Sequence, residues 1–211
     1  MKIIKKMPVE SLWEDLKNAA DNGTIKEVLS SGDQIPVTLK DGREIILDVG
    51  RDSSGKYYFV CHDCIAECTM NRKYTNKGGW RDSDARAFLN TEALSLFPDD
   101  IQAVMRPTKI TQVRRDETLE TEDKLFLLSR TQVFGEDEQY VKQDSGDSQI
   151  DIFRIDHDRV KELDDRGNWF WWLRSAVSGD SASLCCVYGD GSAHNYFSGY
   201  SCGLAPAFCI E

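Results

Sequence analysis

The sequence contains no apolar run long enough to cross a membrane. No stretch of its 211 residues approaches the ~20 consecutive apolar residues that a membrane helix requires. The basic start, Met1 to Pro8, is followed at once by Glu10, Glu14 and Asp15, whereas a signal peptide continues with an apolar segment of about 7–15 residues. We therefore expect a soluble protein without a Sec signal peptide or transmembrane segment, located in the cytoplasm or in a phage virion.

Basic residues are also scarce. Lys and Arg number 26 against 36 Asp and Glu, which gives a net charge of −10, and the basic residues are scattered along the chain. A protein that binds nucleic acid or an anionic membrane surface needs a basic patch to replace counterions. The charge therefore predicts no nucleic-acid partner and no membrane insertion. The hydrophobic fraction of 40% is typical of a globular domain.

Complete motifs for metal binding or catalysis are missing. Cys61-His62-Asp63-Cys64 is a CxxC motif, but a structural zinc site usually has two such pairs, and no second pair occurs. The chain also has no glycine-rich phosphate loop and no Glu-Pro-Asn or Trp-Asn-Asp motif for calcium-dependent sugar binding. With only 3 histidines, a cysteine or serine nucleophile has few candidate bases. We expect a protein that is not an enzyme, without a metal site or a cofactor.

Two alternatives stay open at this point. A thiol- or metal-dependent enzyme could use one of two cysteine groups, namely Cys61, Cys64 and Cys68, or Cys185, Cys186 and Cys202. The other alternative is a virion structural subunit. The odd total of 7 cysteines, in a chain without a signal peptide, favours thiols over a disulfide framework.

The first two thirds of the chain predict alternating helices and strands. Apolar residues recur at helical spacing in residues 8–22, and Asp41-Gly42 between two alternating segments predicts a β-hairpin. A third strand is expected over residues 56–61. Further expectations are helices over 82–90, 92–97 and 98–105, strands over 109–113 and 124–129, an acidic connection over 116–123 and a mobile loop over 135–149.

Two more strands are predicted towards the C-terminus. Residues 169–175 are bulky and nearly continuous, as in a strand covered on both faces. In the next strand, over residues 183–188, successive side chains point to opposite faces. We expect Val187 to point inward and Cys186 and Tyr188 to point outward.

The segment from 178 to 202 lacks Lys, Arg and Glu altogether, although charged residues make up 29% of the chain. It consists almost wholly of Ser, Gly, Tyr, Asn, Ala and Cys, with Asp180 and Asp190 as its charged residues. Such a composition is typical of a paratope, in which rigid aromatic side chains stand among small polar ones. We interpret residues 194–200 as a loop, because their aromatic residues follow no steady period, and 204–210 as a closing strand.

Motifs in the C-terminal part resemble an uncharacterised domain family of gut bacteria and their phages. Some members have Gly-Val-Arg-Pro where this chain has Gly203-Leu204-Ala205-Pro206, and the resemblance covers most of residues 34–210. The blocks that carry it are Met70-Asn71, Gly78-Gly79-Trp80, Ser83 to Asn90, Asp123 to Ser129, Trp171 to Ser175 and Gly203 to Phe208.

The C-terminal segment also resembles the variable proteins of diversity-generating retroelements. These have a C-type-lectin-type fold related to that of formylglycine-generating enzymes, and adenine-directed mutagenesis diversifies their surface near the C-terminus. The resemblance implies a fixed scaffold that includes Leu173, Val187, Gly191, Gly203 and Pro206. It implies diversified, ligand-binding positions at Ser178, Asp180, Ser183, Cys186, Tyr188, Asp190, Ser192, His194, Asn195, Tyr196, Phe197 and Tyr200.

These observations together predict an α+β, C-type-lectin-like fold. We expect an N-terminal helical extension over residues 1–33 and a C-type-lectin-like domain over 34–211. The expected function is recognition of a protein or glycan on a cell surface by a displayed segment at about 176–202. The anchors would be Tyr188, Tyr196, Phe197 and Tyr200, and the hydrogen-bonding specificity groups Asp180, Asp190, His194 and Asn195.

Overall fold

Two five-stranded sheets form the framework of this computed structural model, which describes residues 2–3, 9–114, 117–135, 137–141 and 143–210. The first sheet has the strand order β1-β2-β3-β4-β14. Its strands are Lys2–Ile3 (β1), Asp33–Thr38 (β2), Glu44–Arg51 (β3), Tyr57–Cys61 (β4) and Ala207–Phe208 (β14). The predicted hairpin and third strand are confirmed, and Gly42 in the hairpin turn has a φ of +89°, which favours glycine.

The second sheet has the strand order β12-β11-β10-β13-β5. Its strands are Ala66–Thr69 (β5), Trp171–Ala176 (β10), Ser183–Val187 (β11), Ala193–Phe197 (β12) and Ser201–Leu204 (β13). Two small hairpins complete the β structure: Thr108–Arg114 (β6) with Glu117–Asp123 (β7), and Lys161–Glu162 (β8) with Asn168–Trp169 (β9).

The helices are short and lie around these sheets. They are Val9–Asp21 (α1), Ile25–Val28 (α2), Asp84–Phe88 (α3), Leu94–Leu96 (α4), Asp99–Val104 (α5), Arg130–Phe134 (α6) and Glu138–Val141 (α7), with a π-helical turn at Leu89–Ala93 and 3₁₀ turns at Asp156–Arg159 and Asp164–Arg166. No helix in the described part of the chain has the length and apolar character needed to span a bilayer. The fold is therefore α+β and mostly β-sheet, in one domain.

Helix α1 is part of the common core. The predicted helix is confirmed, and Leu12, Trp13 and Leu16 are buried on its inner face. The Trp13 ring lies 5.6 Å from the Phe59 ring of β4 and 6.1 Å from the Phe208 ring of β14. The helix thus covers the end of the chain as well as the first sheet.

Strand β10 occupies the centre of the second sheet, and all six of its residues are buried. It pairs antiparallel with β11 and parallel with β13. The indole N–H of Trp171 donates to the carbonyl of Arg159 at 2.9 Å, and that of Trp172 donates to the carbonyl of Cys68 at 3.1 Å. A buried indole needs such a partner, so both tryptophans are fixed in position.

Arg174 and Ser175 of β10 hold the segment that precedes residue 148. The buried Arg174 forms an ion pair with the partly buried Asp147, and its guanidinium also donates to the Leu127 carbonyl at 2.8 Å. The Ser175 hydroxyl lies 2.7 Å from Asp144, a buried carboxyl whose pKa is raised because it is desolvated. The predicted mobile loop over 135–149 is therefore wrong for its described residues, which form α7 and a pinned turn.

Three other element predictions need correction. The acidic connection over 116–123 contains strand β7, because Leu119, Thr121 and Asp123 alternate inward between outward residues. The predicted strand over 124–129 makes a single bridge to β14 through Phe126. The predicted helices over 82–90 and 92–97 form one continuous helical run, because the Thr91 hydroxyl donates back to the Ala87 carbonyl at 2.7 Å instead of capping a new helix.

We expect Ser175→Ala to lower the free energy of unfolding by about 1–3 kcal/mol, because it leaves buried polar groups without a partner. The Ser175 hydroxyl accepts from the Arg130 N–H at 2.8 Å and donates to the buried Asp144. Urea denaturation measures the change. The control Ser178→Ala alters an exposed serine and should stay within about 0.5 kcal/mol of wild type. Equal stability of the two variants would show that Ser175 does not hold this segment.

Candidate functional site

An exposed cluster of aromatic rings lies on and beside edge strand β12. We call it the aromatic surface. Its rings follow one another in contact along the sheet, and its members are Tyr74, Phe170, Tyr188, His194, Tyr196, Phe197 and Tyr200.

One half of the aromatic surface is built on the ends of β10 and β11. The Phe170 ring lies 4.9 Å from the Tyr188 ring and 6.3 Å from the Tyr196 ring. Tyr188 stacks on His194 with ring centroids 3.9 Å apart and planes within 12° of each other. Aromatic pairs at such distances stabilise by about 0.5–1.5 kcal/mol each beyond burial. These rings are consequently held in place by one another.

The other half is more exposed. Tyr200 lies 4.8 Å from Tyr196, 6.0 Å from Phe197 and 5.7 Å from Tyr74, measured between ring centroids. Side-chain exposure is 59% for Tyr74, 48% for Phe197 and 43% for Tyr200. The rings are tilted against one another, by 86° for the pair of Tyr74 and Tyr200. The surface is therefore corrugated, with ring faces and edges both open to solvent.

Sheet pairing explains why these residues meet. The register places Tyr196 opposite Leu184 and His194 opposite Cys186, and residues directly opposite in an antiparallel pair share a face. The prediction of a loop over residues 194–200 is therefore wrong up to Phe197, because β12 pairs with β11 along its whole length. Both faces of this edge strand are open. Its residues therefore do not alternate between apolar and polar, and the sequence pattern did not indicate a strand.

Two of the predicted positions are not at the surface. Ser183 is 3% exposed and Cys186 is 1% exposed, so the expected outward placement of these two residues is wrong. All five residues of β11 are buried, because the strand has β10 and β12 on its two sides and is covered on both faces. Val187 is buried as expected, and Tyr188 is partly exposed just beyond the strand end.

The remaining predicted positions lie in turns or on β12. Ser178, Asp190 and Asn195 are exposed, and Asp180 and Ser192 are partly exposed. Both carboxylates are used by their own turns. Asp180 accepts from the N–H of Ala182 at 2.6 Å, and Asp190 accepts from the Ser192 hydroxyl at 2.6 Å. These contacts lower the pKa of both aspartates, so the carboxylates shape the turns that frame the aromatic surface.

Two glycines allow close approach at this surface. Gly191 has a φ of +85°, and a Cβ there would collide with the backbone carbonyl of Asp156. A Cβ on Gly199 would come within 3.1 Å of the Tyr74 ring. Gly191 therefore packs the turn after β11 against the 3₁₀ turn that begins at Asp156, and Gly199 gives Tyr74 room to lie against Tyr200.

Sequence reasoning missed Tyr74 and Phe170. Phe170 stood in a bulky run that predicted a buried strand, yet it precedes β10 and is partly exposed. Tyr74 lies about 120 residues earlier in the chain than its ring partners Phe197 and Tyr200, and pairing over that separation leaves no periodic signal. The one available signal was Tyr74's position in a polar loop, where a large aromatic residue has little core to enter.

A polar cleft of about 820 Å³ is the second candidate site. It lies beside the ends of β3 and β4, where His62 Nδ1 is 2.8 Å from an Asp48 carboxylate oxygen. The buried Lys161 ammonium donates to the carbonyls of Cys61 and His62 at 2.6 and 2.8 Å, and burial lowers its pKa. Lys161 therefore acts as a tie between β4 and β8.

All seven cysteines are reduced thiols that are buried or partly buried. Cys61, Cys64, Cys185, Cys186 and Cys202 are buried, and Cys68 is partly buried. Burial raises the pKa of Cys61, Cys64 and Cys68 to about 12, so little thiolate forms at neutral pH. In the described ranges, no group of three or more His, Cys, Asp or Glu side chains is arranged to hold a metal ion. The CxxC segment, Cys61 to Cys64, is therefore best interpreted as the end of core strand β4 and the turn that follows it.

The His62–Asp48 pair should make stability depend on pH. The hydrogen bond to Asp48 raises the pKa of His62 above 6.5. Burial alone would raise the pKa of Asp48, but the hydrogen bond from His62 and the charge of Lys161 hold it below 3.8. The pair therefore stabilises the fold fully between pH 3.8 and pH 6.5, the ordinary pKa values of Asp and His. This stabilisation is lost as the pH rises through the folded pKa of His62.

We expect His62→Ala to cost more stability at pH 6 than at pH 9, by about 0.5 kcal/mol because the imidazole is half exposed and screened. Denaturant titrations at the two pH values give this difference, and the packing loss cancels between them. Repeating His62→Ala in an Asp48→Asn background should abolish the difference. A pH-independent cost in the wild-type background would mean that the pair carries no net charge interaction.

Comparison with known proteins gives a family but no activity. No curated protein and no solved structure matches the chain. A family model described as a domain of unknown function (DUF6273) matches residues 55–211, which include strands β4 to β14 and every residue of the aromatic surface. This match spans about three quarters of the chain, and the protein therefore belongs to the DUF6273 family.

Proposed function

We propose that this protein is a ligand-binding protein that recognises a protein or glycan on a cell surface. The observation that carries the proposal is the aromatic surface, a run of seven rings in contact on the open edge of the second sheet. Binding would rest on shape and on aromatic contacts, with Asn195, Ser192 and His194 as hydrogen-bonding groups around the rings.

The distribution of exposed apolar side chains supports this proposal. In the described part of the chain, the large hydrophobic residues with high exposure are Val28, Ile46, Tyr74, Ile155, Phe197 and Tyr200. The three aromatic members are in mutual contact. Single exposed apolar residues are ordinary, whereas a contiguous exposed patch marks an interaction site.

The rigidity of the frame also supports binding. Every residue of β12 has a partner in β11, and β11 is buried throughout. A ligand that meets pre-positioned rings loses less conformational entropy on binding than one that must order a loop. The edge strand therefore suits recognition better than a mobile segment of the same composition.

We also propose that the scaffold is C-type-lectin-like and that a retroelement diversifies its surface. This rests on the resemblance of the C-terminal segment to variable proteins. The exposure of most of the proposed positions supports diversification there, because substitutions of accessible side chains cost little stability. Ser183 and Cys186, both buried, would be poor positions for diversification.

The nucleotide sequence near the gene tests the diversification. We expect a near-copy of the codons for residues 175–205 that differs mainly at adenines. The differences should fall at exposed positions such as Asn195 and Phe197 and spare the codons of buried β11. A locus without such a copy, or a copy whose differences show no adenine bias, would refute diversification and leave the binding proposal intact.

The double variant Phe197→Ala/Tyr200→Ala tests the binding function itself. It should lose at least about 30-fold in affinity for the ligand, because exposed aromatic anchors contribute about 2 kcal/mol or more at a binding hot spot. Glycan arrays and cell-surface protein arrays supply the ligand, and titration of the wild type and variant gives the affinities. Circular dichroism checks that the fold is retained.

Ile155→Ala is the matched control for this experiment. It removes another large apolar side chain, 60% exposed, that takes no part in the aromatic surface. Its affinity should equal that of the wild type. If the double variant and the control bind equally well, the aromatic surface is not the binding site.

A further inference from the structure

The loop that carries Tyr74 is basic, in contrast to the chain as a whole. Its sequence from 72 to 77 is Arg-Lys-Tyr-Thr-Asn-Lys, with three cations and no acid, in a protein with a net charge of −10. We call residues 72–77 the basic loop. Because its tyrosine, Tyr74, belongs to the aromatic surface, the basic loop passes beside the rings.

The basic loop is fixed to the end of β12 by a buried serine. Ser198 is fully buried; its hydroxyl donates to the Lys73 carbonyl at 3.1 Å and accepts from the Thr75 N–H at 2.9 Å. Asn76 extends the attachment, since its side-chain amide donates to the carbonyls of Asp180 and Ser183 at 2.9 Å each. The loop and the aromatic surface therefore form one continuous structure.

The cations of the basic loop have no carboxylate partner in the described residues. Ion pairs within 4 Å occupy many Lys and Arg side chains elsewhere, but none includes Arg72, Lys73 or Lys77. All three are exposed. Arg72 lines a groove that also contains Asp84 and Glu92, so its charge is shared with that groove. Lys77 also lines a groove with an acid, Glu117, but that carboxylate pairs with Arg81 at 3.4 Å. Lys73 and Lys77 are therefore the cations available to a ligand on the rings.

The acids closest in sequence to the rings keep their negative charge, but among the described residues they form no ion pair with the basic loop within 4 Å. Asp180 and Asp190 each accept hydrogen bonds from their own turns. The groups around the rings are otherwise neutral donors and acceptors such as Asn195 and Ser192. A complementary ligand therefore has ring faces with C–H groups that pack on aromatic faces, many hydroxyls and a low density of negative charge.

We propose that the aromatic surface and the basic loop together bind an acidic polysaccharide in which only a fraction of the sugar rings carry carboxylates. This inference rests on the proposed binding function and specifies its ligand class. Sugar rings would stack on Tyr74, Phe197 and Tyr200, while Lys73 and Lys77 pair with the carboxylates. Single-stranded nucleic acid also combines rings with negative charge, but its charge on every nucleotide requires more cations than this loop has, and the net charge of −10 repels it.

Binding to charged and neutralised forms of the same polymers tests the proposal. The probes are hyaluronan, heparosan, gellan and xanthan, in which at most every second sugar on average carries a carboxylate, each beside its methyl-esterified form, together with oligo-dT as a nucleic-acid probe. We expect at least one acidic polymer to bind, its ester to bind at least about 10-fold more weakly, and 0.5 M salt to weaken binding as screening predicts. Failure of all four acidic polymers, equal binding of acid and ester, or tighter binding of oligo-dT would overturn the proposal.

The variant Lys73→Gln/Lys77→Gln tests whether the lysines of the basic loop bind the carboxylates of the polymer. It should lower affinity for the acidic polymer at least about 10-fold and leave the weaker binding of the ester unchanged. The control Lys26→Gln/Arg154→Gln removes two exposed cations elsewhere and should bind as the wild type does. Equal losses in both variants would mean that net charge, not the loop, attracts the polymer.

The same measurements separate this inference from the proposed function. If a neutral glycan or a protein binds, and Phe197→Ala/Tyr200→Ala abolishes that binding while Lys73→Gln/Lys77→Gln does not, the acidic polysaccharide is refuted and the binding function stands. If the aromatic variant leaves all binding unchanged, the aromatic surface is refuted as the site and the inference falls with it.

Discussion

The burial of strand β10 is the constraint on which the rest of the structure depends. Its six residues are covered on both faces, and its polar side chains form hydrogen bonds with groups from distant parts of the chain. Arg174 forms an ion pair with Asp147, and the Ser175 hydroxyl donates a hydrogen bond to Asp144. A buried charge that loses its partner is strongly destabilising, so these contacts oblige residues 144–147 to stay closed over the strand. The two tryptophans add ties to Arg159 and Cys68.

This arrangement determines which part of the second sheet can meet a ligand. Strand β11 lies between β10 and β12 and is buried throughout, so β12 is left as an edge strand with open faces. Exposed edges tend to pair with other chains unless they are short or polar. Strand β12 has five residues, among them His194 and Asn195, and its aromatic residues are occupied in ring contacts. The proposed binding surface therefore exists because the strand behind it is inaccessible.

Short-range sequence patterns predicted much of the fold, whereas the aromatic surface is formed by contacts between segments that are far apart in the sequence. Helix α1 and the hairpin at Asp41-Gly42 were predicted correctly, because each depends on residues close in sequence. Strand β12 was taken for a loop, and Cys186 was placed outward, because alternation does not reveal how many layers cover a strand. Tyr74 was missed because its contacts with Phe197 and Tyr200 join segments far apart in the chain. The aromatic residues of 188–200 were identified as a group from composition alone.

Screening by salt explains how an acidic protein can present the proposed site for an acidic ligand. At physiological ionic strength the Debye length is about 8 Å, so carboxylates elsewhere on the surface act weakly on a bound ligand. Lys73 and Lys77 flank Tyr74 within one short loop, and this loop is fastened to β12 through Ser198. A carboxylate paired with either lysine, as proposed, would lie well inside the Debye length, where screening is least effective. The net charge of −10 then slows the approach of dense polyanions, and a sparsely charged polymer with sugar rings is disfavoured far less. In the proposed complex, local charge would thus favour binding of such a polymer, while the overall charge would select against nucleic acid.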